Sequence, residues 1–130
     1  MIPDDRLTEV FDRGLREGLE HLTPAEQQLY LIQYFILDQE MNGLSGYFFN
    51  QLPDLAQIQA TIDAMRRYGL INLATLLDEA LQLFRDYADP NPSSTWEAEL
   101  RRYDPSNRLN AIWKSIGELD NYGLAESSIA

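Results

Sequence analysis

The 130-residue chain contains no cysteine. That absence excludes a disulfide framework, a thiolate nucleophile and a cysteine-built zinc ribbon, so stability must come from packing, and a reducing, cytoplasmic setting is expected. Histidine is nearly missing as well: His21 stands alone between Glu20 and Leu22 near a helix end, a place that suits a solvated or dipole-favoured residue better than a general acid or base. No run is long and uncharged enough to cross a bilayer, and the opening Met1-Ile2-Pro3-Asp4-Asp5-Arg6 lacks the basic region and apolar stretch of a signal peptide, so no membrane partner is expected. Gly43 and Gly46 are spaced as helix terminators, without the lysine or preceding strand of a phosphate-cradling loop. No repeat of fixed period is visible, which disfavours a helical solenoid.

Basic side chains are scarce too. Against 21 acidic residues stand 10 basic ones, a net charge of −11. The resulting field repels nucleic acid and anionic lipid and attracts basic protein surfaces, although the same charge also serves solubility. An apolar fraction of 45% is enough to fill one core, and the chain reads as a single domain over residues 1–130.

What is abundant is helical punctuation, while the period-two alternation of half-buried strands is hard to find. The expected fold is all-α, a compact bundle of about five to seven helices. Asp4 and Asp5 can cap a first helix with Leu7, Val10, Phe11, Leu15 and Leu19 on its buried face, and with Glu9–Arg13 and Asp12–Arg16 pairs on the other. Thr23-Pro24-Ala25-Glu26 joins a capping box to proline at the first helical position, so a second helix starts at Pro24. Its stretch from Leu29 to Leu37 is interrupted only by Gln33, so this helix belongs in the middle, ending near Asn42-Gly43. A short aromatic segment, Ser45 to Asn50, follows and is expected to fold helically onto the core.

Pro53-Asp54 opens a third helix with Leu55, Ile58, Ile62 and Met65 on one face and Gly69 as its cap. Asn72 can cap a fourth, burying Leu73, Leu76, Leu77, Ala80, Leu81 and Phe84, and the two should form an antiparallel hairpin. Asp89-Pro90-Asn91-Pro92-Ser93-Ser94 is a turn-rich break. Beyond it, over residues 95–122, Ser94 to Glu97 reads as a capping box before a short helix through Tyr103. Asp104-Pro105 reads as the start of a last helix with Leu109, Ile112, Trp113, Ile116 and Leu119 inward, closed by Gly123 before a frayed tail.

The chemistry inventory is thin, and neither catalysis, a cofactor nor a metal is expected. Asp38 and Glu40 stand two residues apart, about 200° around a helix, so they cannot share one metal while the helix is intact. Tyr30, Tyr34, Tyr47, Phe48 and Phe49 form the densest aromatic group, which helical spacing assigns mainly to the core. Several acids have bases at pairing distance: Asp63 with Arg66 and Arg67, Glu97 with Arg101, Glu99 with Arg102.

Asp38-Gln39-Glu40-Met41-Asn42-Gly43-Leu44-Ser45-Gly46-Tyr47-Phe48-Phe49-Asn50 resembles the signature of an uncharacterised bacterial all-helical family that includes a DNA-mimic protein, the DNA-mimic-protein-nineteen-like family. The likeness runs from about residue 29 to residue 84 and takes in the turn Tyr68-Gly69-Leu70. Asp38, Glu40, Asn42, Gly43, Tyr47, Phe48, Asn50 and Gly69 carry it. Asn42 stands at a glycine position of the pattern, Leu44 at an aromatic one and Gly46 at a glutamine one. The motif is mostly apolar and glycine-bearing, so it reads as a hallmark of the fold more than as a binding surface.

The resemblance implies an acidic helical protein that occupies the DNA-binding face of a transcription regulator, with a basic protein surface as partner and no direct contact to nucleic acid. B-DNA carries a negative charge per about 1.7 Å of axis, a density that a rigid bundle could match along a ridge. A homodimer is compatible with this reading. The alternatives are an immunity or antitoxin-type inhibitor of a basic toxin, and an enzyme with a site near Asp38, Glu40 and Asn50.

Overall fold

A computed structural model describes residues 2–88 and 93–126. Among them are six α-helices, two 3₁₀ segments and no strand. α1 (Ile2–Glu17) leads through a 3₁₀ turn (Leu19–His21) into α2 (Pro24–Gln51). The capping box forms as the sequence predicts: Thr23 Oγ1 accepts from the Glu26 backbone N–H, and the Glu26 carboxylate accepts from that of Thr23. α2 is the central element and packs against α1, α3 (Leu55–Arg67) and α6 (Arg108–Gly117). Leu29, Ile32, Phe35, Ile36, Leu44, Tyr47 and Phe48 on it are buried.

α1 departs from the expected pattern at both ends. It begins at Ile2, so Asp4 and Asp5 lie inside it rather than before it. Leu7 and Val10 are buried, but Leu15 is 63% exposed and Leu19 40%. Contact with α2 passes at this level through Gly14, one position before Leu15, and that register turns the leucine outward. Arg16 lies beside Glu17 instead of pairing with Asp12, whereas Glu9 and Arg13 pair as read.

Asp54 caps α3 by accepting from the Gln57 N–H. The turn to α4 (Ile71–Gln82) is shorter than Asn72 suggested. Gly69, at φ 82°, donates to Arg66 O, and Leu70 donates to Met65 O, a doubly bonded close after which the helix restarts at once. Asn72 therefore sits within α4, not at its cap. The α4 face is as expected: Leu73, Leu77, Ala80, Leu81 and Phe84 are buried and Leu76 half-buried.

Residues 89–92 of the turn-rich connection fall outside the described residues. α5 (Trp96–Tyr103) is capped by Thr95, one residue later than the sequence pattern implied, and Ser94 instead bonds Glu99. α6 likewise begins after Pro105, at Arg108. Its cap is still Asp104: the buried carboxylate reaches over a left-handed Asn107 to accept from the N–H groups of Arg108 and Leu109. Leu109, Ile112 and Ile116 face inward and Trp113 stands at the surface, 39% exposed. α6 ends at Gly117, well before Gly123. The expected fraying is not seen over the second 3₁₀ segment (Asp120–Glu126), which folds back and buries Leu124. Residues 127–130 of the tail lie outside the described residues.

Candidate functional site

The resemblance-bearing segment is the broken middle of α2. Gly43, at φ 73° and ψ 172°, interrupts the helix, and the chain resumes helical geometry in a new direction. Inside this break Asp38 is buried, 8% exposed. Asn42 Nδ2 donates to its Oδ1 at 2.7 Å, and Asn50 Nδ2 donates to both oxygens at 3.2 Å. One carboxylate thus ties the residue before the break to the end of the helix after it. Burial without a counter-ion requires such donors. Of the eight motif residues, Asp38, Asn42 and Asn50 are brought into contact and Gly43 makes the bend. Tyr47 and Phe48 fill the core beneath, while Gly69 sits apart in the α3–α4 turn.

Tyr47 contacts Phe35 and Phe48 edge-on, at ring-centroid distances of 4.8 and 5.7 Å. Burial pushes its hydroxyl well above the usual tyrosine range, against the opposing effect of its bond with Thr61. Tyr34, half-buried, is also raised, by burial and then by the nearby Asp38 carboxylate.

Glu40 points elsewhere and belongs to a second polar group. Gln39, 2% exposed, accepts from the Trp113 indole N–H at 2.9 Å and donates to Ile36 O at 3.0 Å and to the Tyr122 hydroxyl at 3.2 Å. The Tyr122 hydroxyl in turn donates to Glu40. This network pins α6 and the 3₁₀ segment to α2. Burial, with the bond to Glu40, pushes the Tyr122 hydroxyl up to about 12. Sequence reading missed Gln39, Trp113 and Tyr122 as a set. The available signal was spacing, since Gln39 follows Ile32, Phe35 and Ile36 on the inward face of the helix.

Between the broken part of α2 and α5–α6 runs a groove of about 840 Å³ lined by Glu40, Met41, Leu44, Glu97, Arg101 and Trp113, among others. Asp38 is not one of the lining residues. Met41 is 81% exposed here, and Phe49, 58% exposed, rims an adjoining recess with Asn50 and Trp96. Asp38 and Asn50 do meet, but Glu40 faces away from them toward Tyr122. No group of three or more potential metal ligands occurs among the described residues. His21 is exposed on its 3₁₀ turn, 3.9 Å from Glu20.

Most of the scarce cations are committed locally. Arg13 bridges Glu9 and Glu26, Arg66 lies between Asp63 and Asp78, and Arg108 meets Glu79 at 2.8 Å. Arg67 and Arg102 lie over the rings of Tyr68 and Tyr103. Glu99 is buried against Ser94 instead of pairing with Arg102. Glu40, Asp54, Glu97, Glu118 and Asp120 are exposed, with no basic side chain within 4 Å among the described residues.

Fold and surface define a class: an acidic helical bundle whose longest helix is bent around a buried carboxylate. The family model described as DMP19-like protein matches residues 20–126, and the chain belongs to that family. No curated protein and no solved structure gives a significant match. No helix among the described residues is long and apolar enough to cross a membrane.

Proposed function

We propose that the chain is a noncatalytic, cytoplasmic interaction domain that binds the basic surface of a DNA-binding protein, such as a transcription regulator, in place of DNA. The observation that carries this reading is the distribution of charge. Most arginines are held in local pairs or over rings, leaving exposed carboxylates on the bend of α2, on α5 and beyond α6. A field of one sign steers a basic partner and is screened by salt. Family membership supports the mimicry, and the motif residues Asp38, Asn42, Gly43 and Asn50 serve the fold by setting the bend that presents Glu40. A homodimer would extend the acidic surface along a common axis.

The test is retention of lysate proteins on the immobilised chain at low and high salt, followed by competition with duplex DNA. A DNA-binding protein that is retained at low salt, released at high salt and displaced by DNA supports the reading. A retained protein that DNA does not displace would overturn mimicry, and a basic toxin in that role would establish the inhibitor alternative.

A further inference from the structure

A recess of about 230 Å³ opens between the end of α2 and the start of α5, lined by Phe49, Leu52, Tyr87, Ser94, Trp96 and Glu99 among others. Its walls are aromatic. Phe49 and Trp96 meet at 5.5 Å with their planes 61° apart, and Trp96 is backed by Phe84 stacked behind it at 6.2 Å. Tyr87 meets the same Phe84 edge-on at 6.3 Å.

The one acid here is 6% exposed. Glu99 Oε1 accepts from Ser94 Oγ at 2.7 Å, whereas Oε2 is buried with no hydrogen-bond partner. The N-terminal end of α5 favours a carboxylate electrostatically but supplies Oε2 with no donor. Nor does the chain's own arginine: Arg102, one turn on, lies over Tyr103 at 5.3 Å, and Arg101 lines the other groove. A buried carboxylate oxygen without a donor is costly, and the electron-rich faces of aromatic rings that line the same recess can attract a cation.

We propose that the recess of Phe49, Tyr87, Trp96 and Glu99 is a binding site for an organic cation, a guanidinium or alkylammonium head group, seated against the rings and neutralising Glu99. The volume exceeds the roughly 30 Å³ share of one water severalfold, enough for such a head group. Phe49, 58% exposed, stands at the rim of the recess. This site is separate from the exposed acids that carry the partner-binding reading and does not depend on it.

The test follows the indole N–H and aromatic-ring resonances of the intact chain by NMR, with the Trp96 signal assigned by a Trp113→Phe variant. Methylguanidinium, tetramethylammonium and a short peptide with one arginine are titrated at constant ionic strength, with uncharged methylurea as control. Saturable shifts of Trp96 and Phe49 with the cations and not with methylurea are expected. Glu99→Gln should weaken binding about tenfold, and Glu20→Gln, exposed on the first 3₁₀ turn, should leave it unchanged. Phe49→Ala, at a rim position the core does not need, should weaken it as well. Saturation by free cations but not the peptide assigns a small-molecule ligand; the reverse assigns a partner's side chain. Equal shifts with methylurea, or undiminished binding in both Glu99→Gln and Phe49→Ala, would overturn the site. Intact cation binding beside absent partner retention would sink only the acidic-surface reading.

Discussion

Gly14 lies against the ring of Tyr30: a Cβ built at Gly14 would stand 2.7 Å from Tyr30 Cδ2. Tyr30 is itself stacked on Phe11 at 4.8 Å, so its ring has little room to yield. Alanine is about 1 kcal/mol better than glycine in an open helix. Here Gly14→Ala should instead destabilise by about 1–3 kcal/mol through overpacking, read as a lower urea midpoint with unchanged slope.

Glu26 is held at about 2, below its ordinary 4.5, first by the Arg13 guanidinium and then by the backbone of Thr23. A depressed carboxylate contributes stability above its unfolded pKa and loses it as pH falls through the folded one. The window is therefore about pH 4.5 down to 2. Glu26→Gln should be less stable than the parent at pH 7, and the gap should narrow on acidification through this range. Parallel pH curves for the two proteins would contradict the assignment.

Gly43 tests conformation without packing, because a Cβ there meets nothing within 4 Å although φ is 73°. Gly43→Ala should cost about 1–3 kcal/mol, the strain of a side chain in a positive-φ, extended-ψ region that is essentially glycine's own, and Gly43→Asn should cost about as much, because asparagine tolerates the left-handed helical region and not this one. Asp38→Ala should cost about 1–3 kcal/mol by stranding the amides of Asn42 and Asn50. Parent-like stability of all three variants in chemical denaturation would refute this view of the bend.

Tyr122, held neutral up to about 12, gives the opposite pH dependence. A phenol with a raised folded pKa contributes stability below its unfolded value, near 10, and loses it as pH rises toward 12. Tyr122→Phe should remove a late-titrating phenolate from the ultraviolet titration and loosen the 3₁₀ segment, measured as faster hydrogen exchange at its amides. A titration unchanged by the substitution would disprove the link.

Helix existence was legible in the sequence wherever the signal was local. Thr23-Pro24-Ala25-Glu26 and the Gly69 turn form as read because their partners are three to five residues away. Starts assigned by a single proline or asparagine were displaced: Asp104 caps α6 across an intervening turn, and Asn72 is overtaken by the tight close at Gly69. Leu15 and Trp113 were misplaced because hydrophobicity alone does not say whether a glycine holds the contact or whether an indole N–H needs a partner. Least legible were Gln39 and Glu99, polar residues at inward helical positions: the bonds of Gln39 reach Trp113 and Tyr122 far along the chain, and Glu99 turns back to Ser94.

The order in which the helices meet also has a kinetic consequence. α1 packs on α2, α2 on α3 and α3 on α4, each a neighbour in sequence, while α6 returns to both α4 and α2. Closing nearest-neighbour loops is cheap and fast, so the first four helices should assemble early and with low contact order. The bonds of Trp113 and Tyr122 to Gln39 span the longest loops and fall to the late side of the barrier. Changes there should speed unfolding while leaving the folding rate nearly alone.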